Sequence, residues 1–176
     1  MCWGVISLAR PSTWTTPHIS VGISAGRYEG ILRDVIHAFK YDGRRSLAEP
    51  LGRIMRTAGQ PVLDGCDCVV PVPLHPWRLL RRGFNQARDL ADHLDQSIEH
   101  AAWRVRATPS QMTLSGAARR TNVRHAFIMS PFSNVKNRIV VLVDDVRTTG
   151  ATLDECARVL MAAGARDVRS LTIAIA

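Results

Sequence analysis

The spacing of apolar positions changes as the chain proceeds. Through Ser24 no clean period holds, and Pro11 and Pro17 interrupt the pattern. Residues 1–27 are therefore expected to form an irregular lead-in with a short strand over Ile19–Ile23. From Tyr28 the rhythm becomes helical: Ile31, Leu32, Val35, Ile36 and Phe39 fall on one stripe, and Gly43 offers a stop. A second helix is predicted from Leu47 to Ala58, with Leu51, Ile54 and Met55 turned inward.

After these helices, short apolar runs alternate with helical patterns. Cys68–Pro73 predicts a strand entering a proline-stiffened loop, and Asn85–Ile98 a helix with Ala87, Leu90, Ala91 and Leu94 on its inner face. Trp103–Arg106 is expected as a strand, Pro109–Arg124 as a polar loop, and Ile139–Val143 as a strongly buried strand. A helix over Thr152–Ala163 and a closing strand over Val168–Ile175 complete the pattern. Strands alternating with helices imply an α/β fold: an open, mainly parallel sheet flanked by helices, with a small N-terminal helical segment. No repeat or composition shift divides the 176 residues, so a single domain over 1–176 is expected.

Composition narrows the partners more than the fold. With 46% hydrophobic and 22% charged residues the chain is neither disordered nor fibrous. No run approaches the roughly 18 apolar residues of a membrane span, so a cytoplasmic protein without a membrane partner is the expectation. The net charge of +8 points to anionic ligands, and nearly all of it is arginine, since Lys40 and Lys136 are the only lysines. Cys2, Cys66, Cys68 and Cys156 form no C-x-x-C pair, so neither a disulfide framework nor a zinc site is expected of them.

The chemistry concentrates in VVLVDDVRTTGATLDE, Val140–Glu155. In open α/β sheets ligands gather at the carboxyl ends of strands, and this stretch is a strand, two acids, a turn and a helix start. Gly150 lets the turn curl its N–H groups inward, and Thr148, Thr149 and Thr152 add hydroxyls at a positive helix end. That composition suits a monophosphate. The motif is neither a Walker A loop nor a dinucleotide G-x-G-x-x-G. Asp144 and Asp145 repel a phosphate, so they must face hydroxyls, a metal or a developing positive charge. A ribose 5-phosphate satisfies both halves.

VVLVDDVRTTGAT also resembles the phosphoribosyl diphosphate (PRPP) binding motif of the type I phosphoribosyltransferases. Three further stretches resemble the ComF branch of that superfamily, which includes competence and GntX-like proteins: VVPVPLHPWRLLRRGFNQARDLADHL, ATPSQMTLSGAARRTNVRHAF and YEGILRDVIHAFKYDGRRSLAEPLG. The resemblance covers most of the chain from Tyr28 onward and implies the type I phosphoribosyltransferase fold. It implies a Mg²⁺-dependent enzyme that passes ribose 5-phosphate from PRPP to a nitrogen acceptor and releases pyrophosphate. Asp144 and Asp145 would hold the ribose hydroxyls, or Mg²⁺ directly or through ribose and water, and stabilise the cationic transition state. Arg147, Thr148, Thr149, Gly150, Ala151 and Thr152 would take the 5-phosphate, with Arg147 standing where relatives more often carry an uncharged residue. Two readings stand for Arg147: an added anion contact, or a side chain in solvent.

The same resemblance assigns pyrophosphate to the loop after the strand at Cys68–Pro73, where Arg78 and Arg82, four residues apart, share a helical face. A solvated basic face is the plainer alternative, and Arg81 fits it better. Lys40, in K-Y-D-G, matches a pyrophosphate position, although a lysine at a helix end has an ordinary dipole role. The polar segment 108–124 is expected to be the flexible loop that closes over the diphosphate and excludes water, with Arg119 in catalytic contact and Arg120 behind it. Trp103 is expected in the core, Trp77 is open between stacking and packing, and His75 and His125 are given no role. Many ComF-type proteins begin with a four-cysteine zinc module, of which only Cys2 has a counterpart here. The competing reading is a competence-type accessory protein that binds single-stranded DNA, or senses PRPP without turnover. A homodimer is compatible with either.

Overall fold

A computed structural model describes residues 10–106 and 123–176. Strands β1 (Ser12–Thr16) and β2 (Ile19–Arg27) form an antiparallel hairpin, followed by helices α1 (Gly30–Tyr41) and α2 (Ala48–Leu63). Next come β3 (Cys68–Pro71), α3 (Pro76–Arg82), α4 (Gln86–Ala91), β4 (Ala102–Arg104) and β5 (Phe127–Met129). The chain closes with β6 (Ile139–Arg147), α5 (Ala151–Ala162) and β7 (Asp167–Ile175). The main sheet runs β1-β2-β7-β6-β3, parallel except for the β1–β2 pair, while β4 and β5 form a separate antiparallel pair.

Strand alternation divides the apolar residues between two cores. In β6, Val141 and Val143 face the layer made by α1, α2 and α4, with Ile36, Phe39, Leu51, Met55 and Leu90. Val140 and Leu142 face the opposite layer, made by α5 and the β4–β5 pair, with Leu153, Cys156, Leu160 and Phe127. A strand covered on both faces needs an unbroken apolar run, which is what Ile139–Val143 supplies. Truncating fully buried Phe39 to Ala would cost about 3–5 kcal/mol.

The lead-in differs from expectation. From Ser12 onward residues 1–27 are not irregular: β2 is a nine-residue strand inside the sheet, and Pro17 falls in the two-residue turn between Thr16 and Ile19 instead of interrupting a strand. The helix expected over Asn85–Ile98 ends at Ala91, because residues 97–99 bond to the backbone of Val69 and extend the sheet's edge. Helix α2, by contrast, runs past Ala58 through Pro61 to Leu63, where burial of Val62 and Leu63 favours continuation. Of the expected flexible loop, 108–122 lies outside the described residues.

Candidate functional site

Strands β3 and β6 are parallel neighbours in register Pro71↔Val143, so their carboxyl ends release the chain side by side. Val72 N–H donates to Val143 O at 2.9 Å, one residue before the acid pair. The two emerging segments and the end of α1 enclose a cavity of about 740 Å³. Lys40, Arg78, Arg82, Asp144, Asp145 and Arg147 line it, as do Thr148, Gly150, Ala151 and Thr152. Thr149 turns its hydroxyl inward on the loop, accepting from Ala151 N–H at 3.4 Å. Arg119 and Arg120 lie outside the described residues.

The turn is built as its sequence suggests. Gly150 caps α5 with φ +77°, in the left-handed region, and a Cβ there would meet Arg147 Nε at 3.2 Å. Asp154, in the first turn of α5, accepts from Thr16 Oγ1 at 2.5 Å and from His18 N–H at 3.0 Å, with His18 Nδ1 at 3.2 Å. The N-terminal hairpin is thereby tied across the outside of the turn.

The acids lie within β6, not beyond its end, because β7 accompanies the strand through Arg147↔Ile175. Adjacent strand residues point to opposite faces, so the two carboxylates part company. Asp145 turns toward α1 and forms a largely buried ion pair with Lys40, Oδ1 to Nζ 2.9 Å. Burial pulls the Lys40 ammonium down, but the Asp145 charge and hydrogen bond, with Asp144, outweigh it and raise it overall. Asp144 turns toward Arg104 and the α5 side and stays half-buried. Burial and the charge of Asp145 push its carboxyl up to about 7, against the pull of the Asp145 N–H, Lys40 and Arg104.

Opposite the acids stands a group of guanidiniums. Helix α3 starts with Pro76 at its first position under a His75 cap and stops at Gly83, φ +78°. Burial and then the charge of Arg82 hold Arg78 below the usual arginine range. Arg82 donates to Gln86 Oε1 at 2.7 Å and lies over the Tyr41 ring, 4.9 Å from its centre. Arg104 was missed in the sequence: it is 7% exposed, lies over Phe127 at 5.3 Å, and is lowered by burial and by Arg78. The available signal was a charged residue at the inward phase of a strand. Trp103, expected in the core, occupies the outward phase, is 42% exposed and meets Phe132. Trp77 is exposed on α3. Clustered, desolvated arginines disfavour their own charge, and an anion between them relieves that penalty.

Arg147 does not extend into solvent. Its guanidinium stacks over the Trp14 ring at 4.4 Å, and its Nε is buried with no hydrogen-bond partner among the described residues.

A family model for the phosphoribosyl transferase domain matches residues 79–175. The DNA utilization protein YhgH of Escherichia coli is 35% identical over 161 residues, covering 84% of this chain and 68% of that protein. Competence protein F of Haemophilus influenzae is 32% identical over 155 residues, covering 82% and 68%. Among solved structures, the allosteric regulatory enzyme of purine biosynthesis is 21% identical with a TM-score of 0.47, covering 72% of this chain and 26% of that one. The parallel sheet, the acid pair and the turn after β6 agree with the family model and the two relatives: the chain belongs to the ComF-like family of type I phosphoribosyltransferase proteins.

Proposed function

We propose that this chain binds PRPP and transfers its ribose 5-phosphate to a nitrogen acceptor, releasing pyrophosphate. The observation that carries the reading is the meeting of three groups in one cavity. The hydroxyl-rich turn, the two carboxylates that precede it on β6, and Arg78, Arg82 and Arg104 all line it, with Arg104 close enough to feel the charges of both Asp144 and Arg78. These chemistries match a phosphate, a ribose and a diphosphate carried by one ligand.

In this reading the 5-phosphate takes the backbone N–H groups and hydroxyls from Thr148 to Thr152. The ribose hydroxyls bond Asp144 and Asp145. As the C1–O bond to the diphosphate breaks, its electron pair leaves with pyrophosphate, and the arginines receive that charge. The carboxylates stabilise the positive charge that develops on the ribose ring. The acceptor nitrogen forms the new bond to C1 with its lone pair and gives up its proton to solvent. Lys40 holds Asp145 in place through their ion pair.

Mg²⁺ would fit beside Asp144, whose carboxyl is pushed up by burial first and by the charge of Asp145 second, a penalty that a cation there would relieve. No group of three or more His, Cys, Asp or Glu among the described residues would cage a metal alone. The ion would therefore sit on Asp144, with Asp145 behind, and on oxygens of the ligand, as Mg²⁺ commonly does. When bound it would neutralise the diphosphate and make it a better leaving group.

Incubation with PRPP, Mg²⁺ and a panel of purine, pyrimidine and amide acceptors, followed by pyrophosphate detection, tests the proposal. Tight PRPP binding without turnover on any acceptor would leave a PRPP sensor and overturn the enzyme reading.

A second reading is favoured by α3, where Trp77 and Leu80 are 73% and 77% exposed beside Arg78, Arg81 and Arg82. An exposed aromatic among cations suits single-stranded DNA, with bases on the indole and phosphates on the guanidiniums. Relatives named for DNA utilization and competence make this worth measuring. A steep salt slope of DNA binding that survives Asp144→Asn and Asp145→Asn but falls with Trp77→Ala is expected on this reading. Loss of binding in the aspartate variants would return the DNA to the PRPP cavity and sink it.

A further inference from the structure

Besides the Thr16 and His18 bonds to Asp154, the N-terminal hairpin approaches the turn with a side chain, Trp14, whose position is fixed from several directions. Trp14 pairs with Gly22 across the β1–β2 ladder, and its indole lies flat over that glycine: a Cβ there would come within 2.4 Å of the ring. Trp14 Nε1 donates to Ser24 Oγ at 3.1 Å, and Ser24 Oγ lies 2.8 Å from Thr172 Oγ1 in the middle of the sheet. Both Ser24 and Thr172 are fully buried, so the indole is anchored at its nitrogen as well as its face. Against this ring stacks the Arg147 guanidinium, 4.4 Å from the ring.

Arg147 also meets the turn. Its Nε and Nη2 lie 3.2 and 3.7 Å from the place a Gly150 Cβ would take, so the guanidinium borders the space that a side chain there would need. Arg147 lines the cavity, and its buried Nε is a donor still without an acceptor among the described residues. A guanidinium stacked on an indole and set against the Gly150 turn, with a donor unspent, is prepared for an anion. Stacking leaves the edge donors of the fork free while restricting its rotation, which reduces the ordering lost on binding.

We propose that Trp14 is a positioning residue for the 5-phosphate site: its indole holds Arg147 against the Gly150 turn, so that the N-terminal hairpin completes the anion cradle. This rests on the ribose-phosphate reading only for the identity of the anion. The clamp itself requires a phosphate group and nothing more.

The test uses the whole chain and two probes, inorganic phosphate and PRPP with Mg²⁺, followed by calorimetry and by tryptophan emission. Trp14→Leu keeps apolar bulk but removes the π face and is expected to weaken phosphate binding roughly three- to tenfold. Trp14→Phe is expected to restore most of that loss. In an Arg147→Ala background, Trp14→Leu should change nothing further, because the two residues act as a unit. Emission of the unmodified chain should shift on phosphate binding, and the shift should vanish in Trp14→Phe.

Should Trp14→Leu unfold the hairpin, Ser24→Ala carries the same test. It releases the indole nitrogen while keeping the ring, and a two- to threefold loss is expected only when Arg147 is present. Equal effects of Trp14→Leu with and without Arg147, a Phe variant no better than Leu, or an Arg147→Ala variant that binds both anions normally would each overturn the clamp. So would failure of the unmodified chain to bind either anion. A phosphate response of the expected pattern with no PRPP binding keeps the clamp and removes the ribose-phosphate reading instead.

Discussion

The segments that follow β6 and β3 leave neighbouring parallel strands, yet they hold charge in opposite ways. After β6, the turn around Gly150 offers backbone N–H groups and short hydroxyls, is tied to the hairpin through Asp154, and leaves little to rearrange. After β3, the short helix α3 offers long arginine side chains that crowd one another and a face with no buried residue. On the proposed reading the first would be a mould for one small anion and the second a reservoir of charge that adapts. A ligand with a fixed phosphate at one end and a departing diphosphate at the other would need that division, since only the departing end changes charge during the reaction.

Filling the mould should have the largest effect. Gly150→Ala places a Cβ at φ +77° and against Arg147, and should weaken phosphate or PRPP binding on the order of 100-fold as charge-bearing hydrogen bonds are lost. Thermal unfolding should show a destabilisation of about 1 kcal/mol beside it. Normal affinity would mean that the turn is no mould.

Lys40→Met tests the fixed side through its buried ion pair. Removing one partner leaves Asp145 uncompensated, and denaturant unfolding at pH 8 should report a loss of about 3 kcal/mol. The double variant Lys40→Met with Asp145→Asn should recover most of it, because the stranded charge is gone. The adaptable side should respond differently. Arg78→Ala and Arg82→Ala should each weaken inorganic pyrophosphate about tenfold while leaving unfolding within about 0.5 kcal/mol of the unmodified chain. A stability loss as large as that of Lys40→Met would erase the contrast between the two segments.

How far this was legible in the sequence follows from how local each feature is. The acid pair, the turn and the helix start are contiguous, so their order alone placed Asp144 through Thr152 on one strand end, and the structure brings Arg78, Arg82 and Lys40 to the same cavity. The stripe of α1 and the apolar run of β6 were equally plain, being set by burial on one face or on both. Arg104 was not, because what makes it a site residue is the phase of a three-residue strand whose partner, β5, lies beyond a long intervening segment. The stacking of Arg147 on Trp14 depends on the pairing of Trp14 with Gly22, a register that no local pattern encodes. The shortened helix at Ala91 likewise reflects a tertiary bond of residues 97–99 to Val69 overriding a sound periodicity.

The smallest expected effect, and the one that joins the two segments, belongs to Asp144. Its folded carboxyl sits at about 7, above the ordinary aspartate value, so the folded chain binds a proton that the unfolded chain has already released. Stability from this group is therefore present at low pH and is lost as pH rises through about 7. Asp144→Asn should accordingly stabilise the ligand-free protein at pH 8 by about 1 kcal/mol and do less at pH 5. On the proposed reading binding runs the other way: PRPP with Mg²⁺ would need the ionised carboxylate, so its affinity should rise several-fold from pH 6 to pH 8 and release a proton near pH 7. In Asp144→Asn the affinity should be low and its pH profile flat across that window. Calorimetry in buffers of different ionisation enthalpy measures both, and a profile unchanged by the substitution would move the titrating group away from Asp144. Should stability and affinity shift in opposite directions, the carboxylate that strains the empty fold is the one that the ligand's cation relieves.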